Sequence, residues 1–214
     1  MVNPKDAGSC FTFKKEDEKA YVKLHPLQYE ELNDFTIDFT YEFSDATSTP
    51  YFLSYALSNH YNNELVIGQG NGIISAKSFY TNKAYFPRVI KTTQRVTVTR
   101  IGSEVSVYAN GKFVQKLKMS TPIRSGGSWI LGQEQDAIEG KFDKNQRFIG
   151  KICDFQMWNY GMNPESLKKL FLNDGSIKAG NVFNSPPSYS LEKKNGAIQS
   201  LKTGKPTNVK DQKG

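Results

Sequence analysis

From residue 35 to residue 43 the chain alternates without a slip. Phe35, Ile37, Phe39, Tyr41 and Phe43 are apolar or aromatic, and Thr36, Asp38, Thr40 and Glu42 separate them. A two-residue period places successive side chains on opposite faces, so the stretch reads as a strand with one buried and one wet face. The pattern returns in Val96-Thr97-Val98-Thr99-Arg100-Ile101 and in Val105-Ser106-Val107-Tyr108. Asn110-Gly111 follows, ahead of Phe113, and Asn-Gly between alternating strands is a strong signal for a tight hairpin. Leu65-Val66-Ile67, Ser128-Trp129-Ile130-Leu131 and Arg147 to Phe155 add further strands. Short strands with turns between them predict an all-β sandwich or jelly roll. One helix is expected. Asn163 can cap it, Pro164 suits its first position and Gly175 suits its stop. Leu167, Leu170 and Phe171 fall on one face, which should pack on a sheet.

At 214 residues the chain suits a single sandwich of this kind, and its 37% hydrophobic, 13% aromatic and 23% charged residues describe a globular protein. No stretch approaches the roughly 20 apolar residues of a membrane-spanning helix. The polar start MVNPKDAGSC has no apolar run of a signal peptide, so the chain is either cytosolic or begins at a mature boundary. The net charge is +7, and the six lysines and two acids from Glu192 to Gly214 contribute +4 of it. We read residues 8–201 as one domain and 202–214 as a basic, disordered tail. Any weak nucleic-acid binding would belong to that tail, which lacks aromatics for base stacking. Cys10 and Cys153 are too few for a disulfide scaffold and lack zinc-ligand spacing, leaving one long-range bridge or two thiols open. No Ser-His-Asp set, Cys-His pair or phosphate-cradling loop is evident. Gly68-Gln69-Gly70-Asn71-Gly72 reads as a turn, since no helix pattern follows it.

The stretch with chemistry in it runs from Gly132 to Gln146, between two strands. Glu134, Asp136, Glu139, Asp143 and Gln146 repeat oxygen-bearing side chains along it. Hard cations such as Ca²⁺ take six to eight oxygens from carboxylates, amides and carbonyls, and a loop held between strands can wrap one. A solvated acidic turn fits the composition too. Asn62 and Asn63, in the turn before Leu65-Val66-Ile67, offer two amide oxygens. His60 beside them is given no role.

These residues carry a resemblance. Gly126-Gly-Ser-Trp-Ile-Leu-Gly-Gln-Glu-Gln-Asp136, then Gly140-Lys-Phe-Asp143-Lys-Asn-Gln146-Arg-Phe-Ile-Gly150 and Met157-Trp158, resemble the pentraxins. The likeness is dense from Gly126 to Phe171, collinear from Phe11 to Lys112, and returns in Gly180-Asn181-Val182. It implies a flattened jelly-roll sandwich of two antiparallel sheets. It further implies two adjacent Ca²⁺ ions per chain, through which phosphate-, carboxylate- or glycan-bearing surfaces are bound. By position, Glu134 and Asp136 would bridge both ions and Gln135 would give its backbone carbonyl. Asp143 and Gln146 would hold the outer ion, and Asn62 and Asn63 would close on the inner one. The family usually has Asp where Asn62 stands. Three carboxylates against two ions leave about +1, which favours an anionic ligand group but weakens calcium binding. Gln146, Asn62 and Gly68 would border the ligand. Gly68 stands where relatives carry a bulky side chain, so a more polar or glycan-like head group is expected. Asp38 and Thr97 occupy the positions of the family's internal disulfide, and a replacement bridge Cys10–Cys153 is expected. The resemblance also implies secretion, a role in innate immunity and a cyclic homo-oligomer, pentamer-like in form.

Two other readings compete. A laminin-G-like adhesion module would share the sandwich without calcium-mediated ligand binding. Glu134-Gln-Asp136-Ala-Ile-Glu139 also matches a pattern of jelly-roll retaining glycosidases, with Glu134 and Glu139 as the carboxyl pair and Trp129 as the nearest sugar platform. The residues favour a non-catalytic binding protein over both.

Overall fold

The alternating stretch forms the longest spine of the molecule, strand β4 (Phe35–Phe43). The computed structural model describes residues 9–27, 29–45, 49–68, 72–75, 89–184 and 191–201. The basic stretch 202–214 and residues 69–71 of the glycine-rich turn lie outside these. Around β4 the other elements are β1 (Ser9–Phe13), β2 (Tyr21–Leu24), β3 (Glu31–Leu32), β5 (Tyr51–Ala56), β6 (Leu65–Gly68), β7 (Gly72–Ser75), β8 (Gln94–Ile101), β9 (Glu104–Ala109) and β10 (Lys112–Lys118). They continue with β11 (Ile123–Arg124), β12 (Ser128–Leu131), β13 (Gly150–Trp158), helix α1 (Pro164–Phe171), β14 (Phe183–Asn184), β15 (Leu191–Lys194) and β16 (Ile198–Leu201). One sheet has the order β10-β9-β8-β4-β13-β1-β16, with β14 added beside β13. The second runs β15-β2-β12-β5-β6-β7, and β11 and β3 form a separate pair. Every pairing between these strands is antiparallel. This is the two-sheet jelly roll expected from the strand pattern.

The core lies between the two sheets. Phe35, Ile37, Phe39, Tyr41 and Phe43 meet Leu53, Tyr55, Trp129 and Leu131 from the other side. Aromatic rings fill the centre: Phe52 lies 4.6 Å from Tyr41 and 5.5 Å from Phe148, centroid to centroid. Asn110 and Gly111 both take positive φ, 51° and 74°, so the β9–β10 hairpin turns as the Asn-Gly signal predicts.

The face of β4 expected to be wet is in part buried. Thr36 and Asp38 are 0% and 5% exposed because α1 and the chain leading into it lie across them. Met162 N donates to the hydroxyls of Thr36 (3.1 Å) and Thr99 (2.8 Å), and Arg95 reaches Leu170 O at 3.3 Å. Asp38 stands opposite Thr97 in register. Thr97 donates to its carboxylate at 2.6 Å and Arg95 grips it with two bonds of 2.9 and 2.8 Å. A buried charge survives only when paired and hydrogen-bonded, and here three side chains complete one cluster.

Helix α1 starts as expected, with Asn163 accepting from Ser166 N at 2.9 Å. It ends earlier than Gly175. Asn173 takes the left-handed φ of 53°, its N–H bonds to Leu170 O and that of Asp174 to Lys169 O. Asparagine tolerates that conformation well enough to close the last turn two residues before the glycine. Strand β13 likewise begins at Gly150 and not at Arg147, because the preceding residues close the neck of the loop described below.

Cys10 and Cys153 are register partners on β1 and β13, with Cα atoms 4.0 Å apart, and they form a disulfide. They lie on the outer face of the larger sheet, the face that α1 also covers.

Candidate functional site

On β12, Trp129 and Leu131 enter the core while Ser128 and Ile130 face outward, yet all four are buried. The loop from Gly132 onward folds back over that outer face and covers it. Its neck is closed by Phe148 N donating to Gly132 O at 2.9 Å, and Gly132 N donates to Phe52 O at 3.0 Å. Gly132 needs its freedom: φ is +89° and a Cβ would lie 2.4 Å from the Phe13 ring.

Inside the neck, Gln135 is the anchor. Its side chain is fully buried, donating to Ser54 O and Ser128 O at 3.0 Å each, and its N–H donates to Ser54 Oγ at 3.1 Å. The flanking residues thereby take fixed positions. Glu134 is 4% exposed. Its carboxyl is pushed up to about 7, first by burial and then by the charges of Asp136 and Asp143. Three carboxylates therefore share one neighbourhood, two of them in water and one dry. Asn63, in its favoured amide orientation, donates to Glu134 Oε1 at 2.7 Å. The other carboxylate oxygen, Glu134 Oε2, is buried and finds no hydrogen-bond partner among the described residues. Gln146 Oε1 is in the same condition.

The remaining expected residues gather here as well. Asn62 Nδ2 donates to Asp136 O at 3.0 Å. Asp143 turns the loop, accepting from Asn145 N at 2.8 Å, and its carbonyl accepts from Gln146 N at 2.9 Å. Gln146 O in turn accepts from Tyr51 N at 2.9 Å, which ties the loop's far limb to β5. Among the described residues no three His, Cys, Asp or Glu side chains stand close enough to hold a metal by themselves. An ion here would need amide and carbonyl oxygens, which Asn62, Asn63, Gln135 and Gln146 supply. Two buried acceptor oxygens without donors are what a hard cation would satisfy, so the donor set fits calcium chemistry.

Other supports were not foreseen. Glu64, buried, takes three bonds from Arg124, through its N–H, Nε and Nη2 at 3.2, 3.0 and 2.9 Å. Arg124 also lies 4.5 Å over the Tyr61 ring, so one guanidinium holds both sides of the Asn62-Asn63 turn. Arg124 is 60 residues from Glu64, and no local pattern signals the pair. Gly68, at the far end of β6 from this turn and opposite Tyr51 in register, is buried, and a Cβ there would lie 2.5 Å from the Tyr51 ring. Tyr51 therefore fills the space of the missing side chain.

Glu139 departs from the cluster. Its carboxylate sits 2.8 Å from Lys23 Nζ, and that bond, with the lysine charge behind it, holds it below the usual carboxylate range. The charges acting on Glu134 are those of Asp136 and Asp143, whereas those acting on Glu139 are Lys23 and Glu192. The two carboxyls belong to different surroundings and do not form the pair a retaining glycosidase needs. Trp129 is no sugar platform either. It is 2% exposed, stacked on Tyr55 at 4.1 Å, and donates to Tyr29 OH.

A two-sheet jelly roll with an oxygen-rich loop docked on the outer face of one sheet defines the architectural class of the chain. Residues 9–191 match the Pentaxin family model, and the chain belongs to that family. It is 29% identical to C-reactive protein of Sus scrofa over 181 residues, covering 83% of this chain and 80% of that one. It is 30% identical to serum amyloid P-component of Rattus norvegicus over 173 residues, 75% and 72% of the two chains. The heptameric SAP-like pentraxin of Limulus polyphemus shares the fold, with a TM-score of 0.77 at 22% identity over 94% of this chain and 97% of that one.

Proposed function

We propose that this chain is a calcium-dependent, non-catalytic recognition protein of the extracellular space. It binds phosphate-, carboxylate- or glycan-bearing surfaces through two adjacent calcium ions. Glu134, Asp136, Asp143, Gln146, the Gln135 carbonyl, Asn62 and Asn63 are the ligands we assign. The single observation that carries the reading is Glu134: a dry carboxylate crowded by two others, with one oxygen left without a donor. Such a group costs several kcal/mol unless a cation or a proton neutralises it. Calcium supplies positive charge at which an anionic ligand group can complete the coordination. The chain's own residues do the rest. Gln135 fixes the spacing of Glu134 and Asp136, and Arg124 holds the turn that carries Asn62 and Asn63. Gly68 presents no side chain of its own, and the Tyr51 ring over it is buried, which supports a polar head group rather than one with an apolar tail.

A disulfide between β1 and β13 supports an oxidising compartment. Among the described residues no helix is long and apolar enough to cross a membrane. The loop and α1 cover outer faces of opposite sheets, an arrangement that suits a ring presenting every site on one side, where avidity multiplies weak single-site affinity. The heptamer of the Limulus protein supports a cyclic homo-oligomer for this chain. The test is a calorimetric calcium titration of chelator-treated protein. Binding of about two ions per chain, lost in Asp136→Asn, is the expected result. No binding at millimolar calcium would instead support an adhesion module of laminin-G type.

A further inference from the structure

We propose that Lys23, with Tyr21 beside it on β2, is a positioning residue that holds the loop 134–146 in its cation-binding shape from outside the ligand set. The inference rests on the calcium reading above and deepens it. Tyr21 and Lys23 are two residues apart on a strand, so both point to the outer face of the smaller sheet while Val22 and Leu24 enter the core. The loop reaches them with two side chains. Glu139 meets Lys23 Nζ at 2.8 Å, and the Phe142 ring lies 5.1 Å from that of Tyr21.

The grip on Glu139 is transmitted to the site by one bond. Glu139 N donates to Gln135 Oε1 at 2.9 Å, and Gln135 lies between Glu134 and Asp136. Glu139 takes a left-handed φ of 54° inside the turn that Ala137 and Gly140 close with backbone bonds of 3.3 and 3.0 Å, so the carboxylate that Lys23 grips belongs to a tight turn. Lys23 and Glu139 keep only 25% and 32% of their side-chain exposure, so the pair is screened less than a surface pair. β2 is itself fixed between β12 and β15, which sets Lys23 opposite Ile130 on one side and Glu192 on the other. Lys23 thus has an immobile base from which to hold a loop whose own backbone pairing, among the described residues, includes the short Ala137–Gly140 bridge.

Position and charge predict opposite signs. As a mere charge, Lys23 repels a cation, and Lys23→Met would tighten calcium binding. As an anchor it raises the fraction of loop already in the binding shape, and Lys23→Met weakens binding by that fraction. The experiment measures amide exchange across 134–146 in chelator and calcium affinity by calorimetry, for wild type, Lys23→Met and Glu139→Gln. We expect exchange at Glu139 to quicken and calcium to bind more weakly, each by roughly five- to tenfold, in both variants. Methionine keeps the aliphatic stem, and if Lys23→Met fails to fold, Glu139→Gln removes the same pair from the loop side. Unchanged exchange, or tighter calcium binding in Lys23→Met, overturns the positioning role. A wild type that binds no calcium refutes the calcium reading and the affinity half of the proposal with it, while the exchange rates in chelator still decide whether Lys23 anchors the loop.

Discussion

Glu134 is where burial and charge conflict most openly. Its carboxyl titrates near 7 against an ordinary 4.5, so the metal-free fold prefers it protonated. The stability this contributes is complete below about pH 4.5 and is lost as pH rises through 7; the interval corresponds to roughly 3 kcal/mol. In chelator, the thermal midpoint of the wild type should therefore fall between pH 5 and pH 8 by more than that of Glu134→Gln, and equal falls would contradict the assignment. On the proposed calcium reading, the ion must displace the same proton. Its apparent affinity should drop by about tenfold for each pH unit below 7, measurable by titration at pH 6 and pH 7.5. The alternation of acidic and amide residues from Glu134 to Gln146 made this cluster legible in the chain. That Glu134 alone of the three carboxylates is dry was not legible, because Asn63, which reaches its carboxylate, lies far upstream in the chain.

At the scale of elements, the decisive contact is between β4, β8 and α1. Asp38, Thr97 and Arg95 come from neighbouring strands, and Arg95 extends to the last turn of the helix through Leu170 O. Removing the carboxylate leaves a guanidinium and a hydroxyl without their acceptor in a site where water has little access. Asp38→Ala should cost about 3 kcal/mol, read as a lowered denaturant midpoint with an unchanged slope. A cost under roughly 1 kcal/mol would mean that the cluster is better hydrated than its burial indicates. The strand period announced β4 and β8 correctly but assigned their polar face to solvent. Periodicity reports that one face is apolar; it cannot report that a helix starting at Pro164, far downstream of both strands, will cover the other. The end of α1 moved for a local reason: Asn173 took the left-handed turn that glycine statistics gave to Gly175.

For the whole molecule, the Cys10–Cys153 bridge joins residues 143 apart and ties the N-terminal strand to the strand that leaves the loop. By loop-closure entropy such a bridge contributes roughly 5 kcal/mol, so Cys10→Ser combined with Cys153→Ser should lower the thermal midpoint by on the order of 10 °C. Reductant should reproduce the loss in the wild type and leave the double variant unchanged. The bridge and the Asp38–Thr97–Arg95 cluster sit on the same outer face of the larger sheet. Two stabilising devices, one covalent and one ionic, thus fasten the side of the sandwich opposite the candidate calcium loop.

The strands around 35–43, 65–67, 96–101, 105–108 and 128–131, the Asn-Gly hairpin and the helix start at Asn163 were determined by the sequence alone, because each depends on residues within a few positions of one another. The order of oxygen donors along 134–146 was determined in the same way. Tertiary structure decided what those donors experience. It brought Ser54 under Gln135, Arg124 onto Glu64, Tyr51 over Gly68 and Lys23 onto Glu139, all of them contacts between residues more than 10 apart in the chain. Local pattern encodes which face of an element is apolar, but dielectric, partner and pKa belong to the space between elements, which exists only once the two sheets have closed.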